Sequence, residues 1–226
     1  ETWERVNSLY LSVARRSTKD LPRGMRHSVL NNIVQSSQQI TGLLDGSMNH
    51  DAAYQFIRLG RNLERADMTT RIIDVRSADL LPEYEEMTPF ENIQWMSVLK
   101  SLSGYQMYRR NMQERVNRPF VLRFLLKEKK FPRSFFHSLL EVKYCLKHLP
   151  RNEEAIDLLN DVGKKVLRAD QAILQQDELH RFIDELQLGL AEMTGQKNDP
   201  ARERDALDFP FDEDTLLRKR IAADLR

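Results

Sequence analysis

The chain has 226 residues, 41% hydrophobic and 31% charged, and its 35 Lys and Arg offset 34 Asp and Glu to leave a formal net charge of +1. That length allows one large domain or two small ones with a substantial core, and the charge balance supplies no global field to recruit nucleic acid or an anionic membrane. The 8 glycines and 8 prolines are too few for an all-β protein with many tight turns.

The single cysteine, Cys145, excludes an internal disulfide and fits a reducing compartment. No run of about 18 apolar residues is present, so no spanning helix is expected, and the expected location is cytoplasmic. The chain starts at Glu1 without a methionine or a signal-like segment, which suggests a fragment.

Trp3, Val6, Leu9, Tyr10 and Val13 recur at helical spacing and predict a first helix over 1–17, broken by Ser17 to Gly24. A second is expected from Met25 to Leu44, with Val29, Leu30, Ile33, Ile40 and Leu43 facing inward and Gly42 and Gly46 bracketing its end as a glycine C-cap would. Asn49 or Asp51 is the expected N-cap of a third.

That third helix, Tyr54 to Arg76, is the most informative stretch. At 100° per residue, Tyr54, Ile57, Met68, Ile72 and Val75 fall within about 40° of one line, with Arg61 at its middle. Phe56, Leu59, Leu63, Ala66 and Ile73 occupy the opposite side, so the helix is apolar on two sides and is expected at the centre of a bundle, its charges partly buried.

Ala78 to Pro89 reads as a polar, acidic connection. A fourth helix is expected from Thr88 or Pro89 through Met107, a fifth over Val116 to Lys127 with Pro119 in its first turn, and a sixth opened by Pro132 and stopped by Pro150. A seventh covers Asn152 to Leu174 and an eighth Glu178 to Met193. The expected fold class is all-α: a multi-helix bundle of about eight helices. The helical domain takes residues 1–195, and 196–226 forms a disordered or loosely docked tail with two prolines and eight acidic residues.

Three stretches resemble the bacterial alpha-E domain family, an all-helical domain named for a Glu-Arg motif. They are GLLDGSMNHDAAYQFIRLGRNLERADMTTRIIDV from Gly42, WMSVLKSLSGYQMYRR from Trp95 and FLLKEKKFPRSF from Phe124, in the family's order and within roughly residues 1–190. The core GRNLERAD is the specific part. Members of the family carry a further Glu-Arg motif upstream, which this chain lacks, so it is expected to be missing the domain's first helices. The resemblance implies a setting: such proteins accompany an ATP-grasp-like ligase and often a transglutaminase-like peptidase.

Glu64, Asp67, Arg71 and Asp74 stack on one helix face, with Asp67 and Arg71 in the favourable acid-before-base i,i+4 order. Two readings stand for Arg61, Glu64, Arg65, Asp67 and Arg71. One is an interhelix ion-pair network that sets the packing register. The other is a polar pocket in which Arg61 or Arg65 holds a carboxylate or phosphate bidentately.

From Arg109 to Arg151, twelve basic residues face three acidic ones. Arg109, Arg110 and Arg133 are the candidate contacts there for a partner or a phosphate, and nucleic acid is the less favoured ligand. His137, Glu141, Cys145 and His148 share a helix face, but a straight helix seldom surrounds a metal with more than two ligands, so no metal is expected. No Glu-x-x-His pair, phosphate loop or recognisable nucleophile setting occurs, and neither a catalytic residue nor a cofactor is assigned.

The expected function is that of a non-catalytic helical subunit in a bacterial peptide or amide-bond modification system, partnering an ATP-grasp-like ligase, with a transglutaminase-like peptidase as a further partner and no membrane role. The alternatives are an enzyme with a pocket around Arg61, Glu64 and Arg65, and phosphate or nucleic-acid binding through 109–151.

Overall fold

Apolar residues at helical spacing, with few glycines or prolines, favour helices throughout. The computed structural model describes residues 1–14, 23–78, 88–170 and 176–193, and holds helices and no strand among them. In chain order they are α1 (Thr2–Ala14), α2 (Arg23–Ser47), α3 (Ala52–Ala78), α4 (Thr88–Ser101), α5 (Tyr105–Met112), α6 (Arg118–Lys127), α7 (Phe135–Lys147), α8 (Glu153–Arg168) and α9 (Gln176–Met193). The tail expected over 196–226 lies outside the described residues, as does most of the acidic connection before Pro89.

Several boundaries differ from the sequence reading. Gly42 and Gly46 lie inside α2, which continues to Ser47. The cost of a glycine within a helix, roughly 1 kcal/mol, does not stop a ladder that runs on to the Met48 N–H bonded to Leu44 O at 3.2 Å. Asp51 caps α3, its Oδ1 accepting from the N–H groups of Ala53 at 3.0 Å and Tyr54 at 3.2 Å.

The helix expected to run to Met107 is divided into α4 and α5. At the break Ser103 adopts φ 53°, and the Gly104 N–H donates to Leu99 O at 2.7 Å. A Cβ on Gly104 would lie 2.9 Å from the Phe131 ring, so the missing side chain is what admits that ring to the core. Pro132 precedes α7 without opening it, because Ser134 is the cap and accepts the His137 N–H at 3.1 Å. α8 stops at Arg168, short of Leu174. Ala169 is extended (ψ 135°), and the Lys127 ammonium donates to Leu167 O at 3.2 Å and Ala169 O at 2.6 Å.

Trp95, Leu99, Tyr108, Phe124, Phe135 and Ile183 are fully buried and form the centre of one core, drawn from α4 to α9 and one flank of α3. α3 packs most extensively on α7, next on α9, and lightly on α4. Its Ala66 and Ile73 enter the core, with Leu59 and Leu63 against it.

The other line of α3 is covered only in part among the described residues: Tyr54 is buried and Ile72 packs against the core, whereas Ile57 is 43% exposed, Met68 48% and Val75 58%. α3 therefore packs on α7, α9 and α4 yet leaves part of its second apolar side, and Phe56 on the first, without cover among the described residues. α1 packs on α2, and no described side chain of either is buried. Val29, Ile33, Ile40 and Leu43 are half-buried there, whereas Leu30, expected to face inward, is exposed. One cavity of about 740 Å³ opens between α1 and α2 and takes no lining residue from α3 or α7. No helix among the described residues is long and apolar enough to cross a membrane.

Candidate functional site

The face that α3 turns to α7 carries small and polar side chains where an apolar stripe would be usual. Gln55, Asn62, Thr69 and Thr70 are buried on α3, and Ser134, Ser138 and Cys145 on the facing segment. Most of these groups bond to backbone carbonyls, which removes the cost of burying them. Asn62 Nδ2 donates to Arg58 O at 2.8 Å, and the Thr69 hydroxyl lies 2.9 Å from both Arg65 O and Arg133 O. The Ser138 hydroxyl donates to Ser134 O at 3.0 Å, and the Ser134 hydroxyl to Glu128 O. Gln55 Oε1 and Arg61 Nε are buried without a hydrogen-bond partner.

One ion pair crosses this interface, Arg58 to Glu141. The Arg58 guanidinium also lies 4.8 Å from the centroid of the Tyr144 ring. At the α2–α3 corner the Tyr54 hydroxyl donates to Asp45 Oδ1 at 2.6 Å, and His50 stacks on the Tyr54 ring at 4.0 Å. The Tyr54 bond holds the Asp45 carboxyl below its ordinary range, and the same bond raises the Tyr54 phenol. Cys145 is buried, and burial pushes its thiol up, toward the neutral form that is a poor nucleophile.

The five α3 residues singled out from sequence do not form one network. Arg61 is half-buried and its side chain makes no hydrogen bond or ion pair among the described residues. Glu64 is exposed and likewise makes none. Arg65, its neighbour, turns the other way: Nη1 donates to Asn62 Oδ1 at 3.3 Å and to Pro132 O at 3.4 Å, both neutral acceptors. Burial lowers the Arg65 pKa, and the like charges of Arg61 and Arg133 lower it further. Asp67 and Arg71 pair at 2.7 Å in the i,i+4 order expected. The Glu-Arg pair singled out above thus points its two members apart.

Arg133, drawn from the Phe-Pro-Arg-Ser element 68 positions after Arg65, is exposed and lies within electrostatic reach of Arg65. Arg109 and Arg110 sit elsewhere, exposed in the last turn of α5. Of the other basic residues in that segment, Lys127 caps α8 and Lys143 donates to Asn160 Oδ1 at 2.5 Å, so both have internal partners. Three of the four residues of the α7 face are also occupied, and the fourth, Cys145, is buried. His137 Nδ1 contacts Lys129 O at 2.7 Å, His148 Nδ1 contacts Tyr144 O at 2.8 Å, and Glu141 is paired with Arg58. No group of three metal-binding side chains is found among the described residues.

Sequence reasoning missed the ties that hold α9 to α3. Gln187 Nε2 donates to the Thr70 hydroxyl at 3.1 Å, and His180 Nδ1 lies 2.6 Å from Asp74 Oδ1, with Asp184 3.6 Å from its other nitrogen. Only their spacing on amphipathic helices marked them, and a cross-helix partner 106 positions away leaves no local signal.

The hydrogen bond from Asp74, helped by the charges of Asp74, Asp184 and Asp177, raises the His180 pKa above 6.5. A raised histidine stabilises the fold fully below its unfolded value and loses that contribution as pH rises through the folded value. An NMR titration of His180 is expected to show a midpoint above 6.5 that Asp74→Asn brings down, with α9 exchanging amide protons faster on the alkaline side. A midpoint below 6.5 would contradict the pairing.

A family model described as Alpha-E, "a predicted alpha-helical domain with a conserved ER motif", matches residues 1–197. The chain belongs to that family. No curated protein and no solved structure matches it.

Proposed function

We propose that this Alpha-E domain is a helical binding subunit of a bacterial peptide or amide-bond modification system, and that it acts by docking on an ATP-grasp-like ligase, with a transglutaminase-like peptidase as a further partner. The observation that carries this reading is the uncovered line of α3. Beyond the buried Tyr54, the residues Ile57, Arg61, Glu64, Met68, Arg71 and Val75 follow one another at alternating steps of four and three, the spacing of a seam that receives another helix. Ile57, Met68 and Val75 supply its apolar contacts, and Arg61 and Glu64 supply a charged centre of the kind that sets register between helices.

Such a seam buries little within the chain and much in a complex. The exposed apolar residues of α1 and α2, Trp3, Leu30 and Val34 among them, extend the same character. The neutral, buried state of Cys145 and the internal partners of His137, Glu141 and His148 weigh against catalysis by these groups. The proposed setting is the cytoplasm. Co-expression with an ATP-grasp-like partner followed by size-exclusion chromatography tests the reading: a shared peak is expected, and consistent separate elution overturns it.

A further inference from the structure

Two stretches far apart in the chain bring arginines to one place. Arg61 and Arg65 are one helical turn apart on α3, and the Arg65 guanidinium donates to the carbonyl of Pro132, next to Arg133. Thr69 fixes the same strand of backbone by donating to Arg133 O at 2.9 Å. Neither Arg61 nor Arg133 has a hydrogen-bonded or ion-paired side-chain partner among the described residues, and Arg65 has only neutral ones. Leaving a partly buried guanidinium without a counter-charge is costly, and here two half-buried arginines and an exposed one repel each other.

Asp45 and Glu141 are carboxylates within electrostatic reach of these arginines, and each already serves another group, Tyr54 and Arg58. Glu64, beside Arg65 in sequence, is exposed and makes no ion pair among the described residues, so no carboxylate is seated on Arg61, Arg65 or Arg133 there. The start of α7 adds partial positive charge of the same sign.

We infer that Arg61, Arg65 and Arg133 form a binding site for a dianionic phosphoryl group, free or as a monoester. A phosphate dianion carries twice the charge of a monocarboxylate and offers three oxygens to three planar guanidinium donors. Arg61 belongs also to the docking seam, but the site requires no partner chain, so a titration of the chain alone tests it apart from that seam.

Isothermal titration of the isolated chain with inorganic phosphate, phenyl phosphate and acetate at matched ionic strength tests it. Saturable phosphate binding is expected, with acetate weaker by about tenfold or more. Arg133→Gln, at an exposed position, is expected to leave the melting temperature unchanged and weaken phosphate binding about tenfold, and Arg65→Lys to weaken it with partial retention. Phenyl phosphate binding more tightly than phosphate would mark an esterified ligand, and the reverse the free ion; both uphold the site. Heats no different from those of sodium chloride, acetate as tight as phosphate, or an unaffected Arg133→Gln variant would each overturn it.

Discussion

Phe124→Ala should lower the free energy of unfolding by about 3–5 kcal/mol, the usual cost of emptying a fully buried phenylalanine site. Phe124 is 1% exposed, meets the Tyr108 ring edge-on at 5.5 Å and stacks on Phe131 at 4.8 Å. Each neighbour is itself fixed. The Tyr108 hydroxyl donates to Arg115 O at 2.9 Å, and burial, with the nearby Glu114 charge, pushes that phenol up to about 12. Phe131 lies over Gly104 in a space that a Cβ would enter. Such a site collapses poorly, which places the loss toward the upper end of the range. Because Phe131 leads directly into Pro132, Arg133 and Ser134, the variant should also loosen the start of α7. Urea unfolding checks the first effect, and a loss below 1 kcal/mol would show that the three rings are not a packed unit.

Glu141→Ala should destabilise by about 1–3 kcal/mol, whereas Glu64→Gln should change stability by no more than about 0.5 kcal/mol. The Arg58–Glu141 pair joins α3 to α7 with both side chains about a quarter exposed (26% and 27%). Removing the carboxylate leaves Arg58 under the Tyr144 ring with no formal counter-charge in contact. Glu64 is exposed and holds nothing among the described residues. The Asp67–Arg71 pair, with Arg71 56% exposed, is worth only about 0.3–0.5 kcal/mol. If Glu64→Gln proved the more damaging change, the Glu-Arg pair would serve packing within the domain rather than recognition outside it.

The helices themselves were legible because their signal is local. Apolar periodicity placed most of them, and Asp51, Pro119 and Pro150 marked starts and stops by backbone chemistry that operates within a turn. The break between α4 and α5 was not legible, because it depends on Phe131 occupying the space beside Gly104, a contact made 27 positions later. The role of α3 was misjudged for a related reason. Two apolar sides show that a helix has two faces to cover, but not that the described residues of one chain cover both.

The candidate site divides in the same way. Arg61, Glu64 and Arg65 stood out from spacing and resemblance, and Arg133 was noted as part of a basic run. That Arg65 and Arg133 converge depends on how α3 crosses the start of α7, a tertiary fact fixed by Thr69, Ser134 and Ser138. Glu141 was weighed only as a metal ligand. Its actual partner, Arg58, lies 83 positions away and carries no motif.

The central claim is that the uncovered line of α3 is a docking seam for an ATP-grasp-like ligase. Size-exclusion chromatography of that partner with the wild-type chain and with Met68→Lys tests it most directly. Met68 is 48% exposed, so a lysine there should leave the fold intact while placing a charge in the seam's apolar contacts. The account predicts that the wild-type chain co-elutes with the partner and the folded Met68→Lys variant does not. Separate elution of the wild-type chain, or co-elution of both forms with equal affinity, would contradict it.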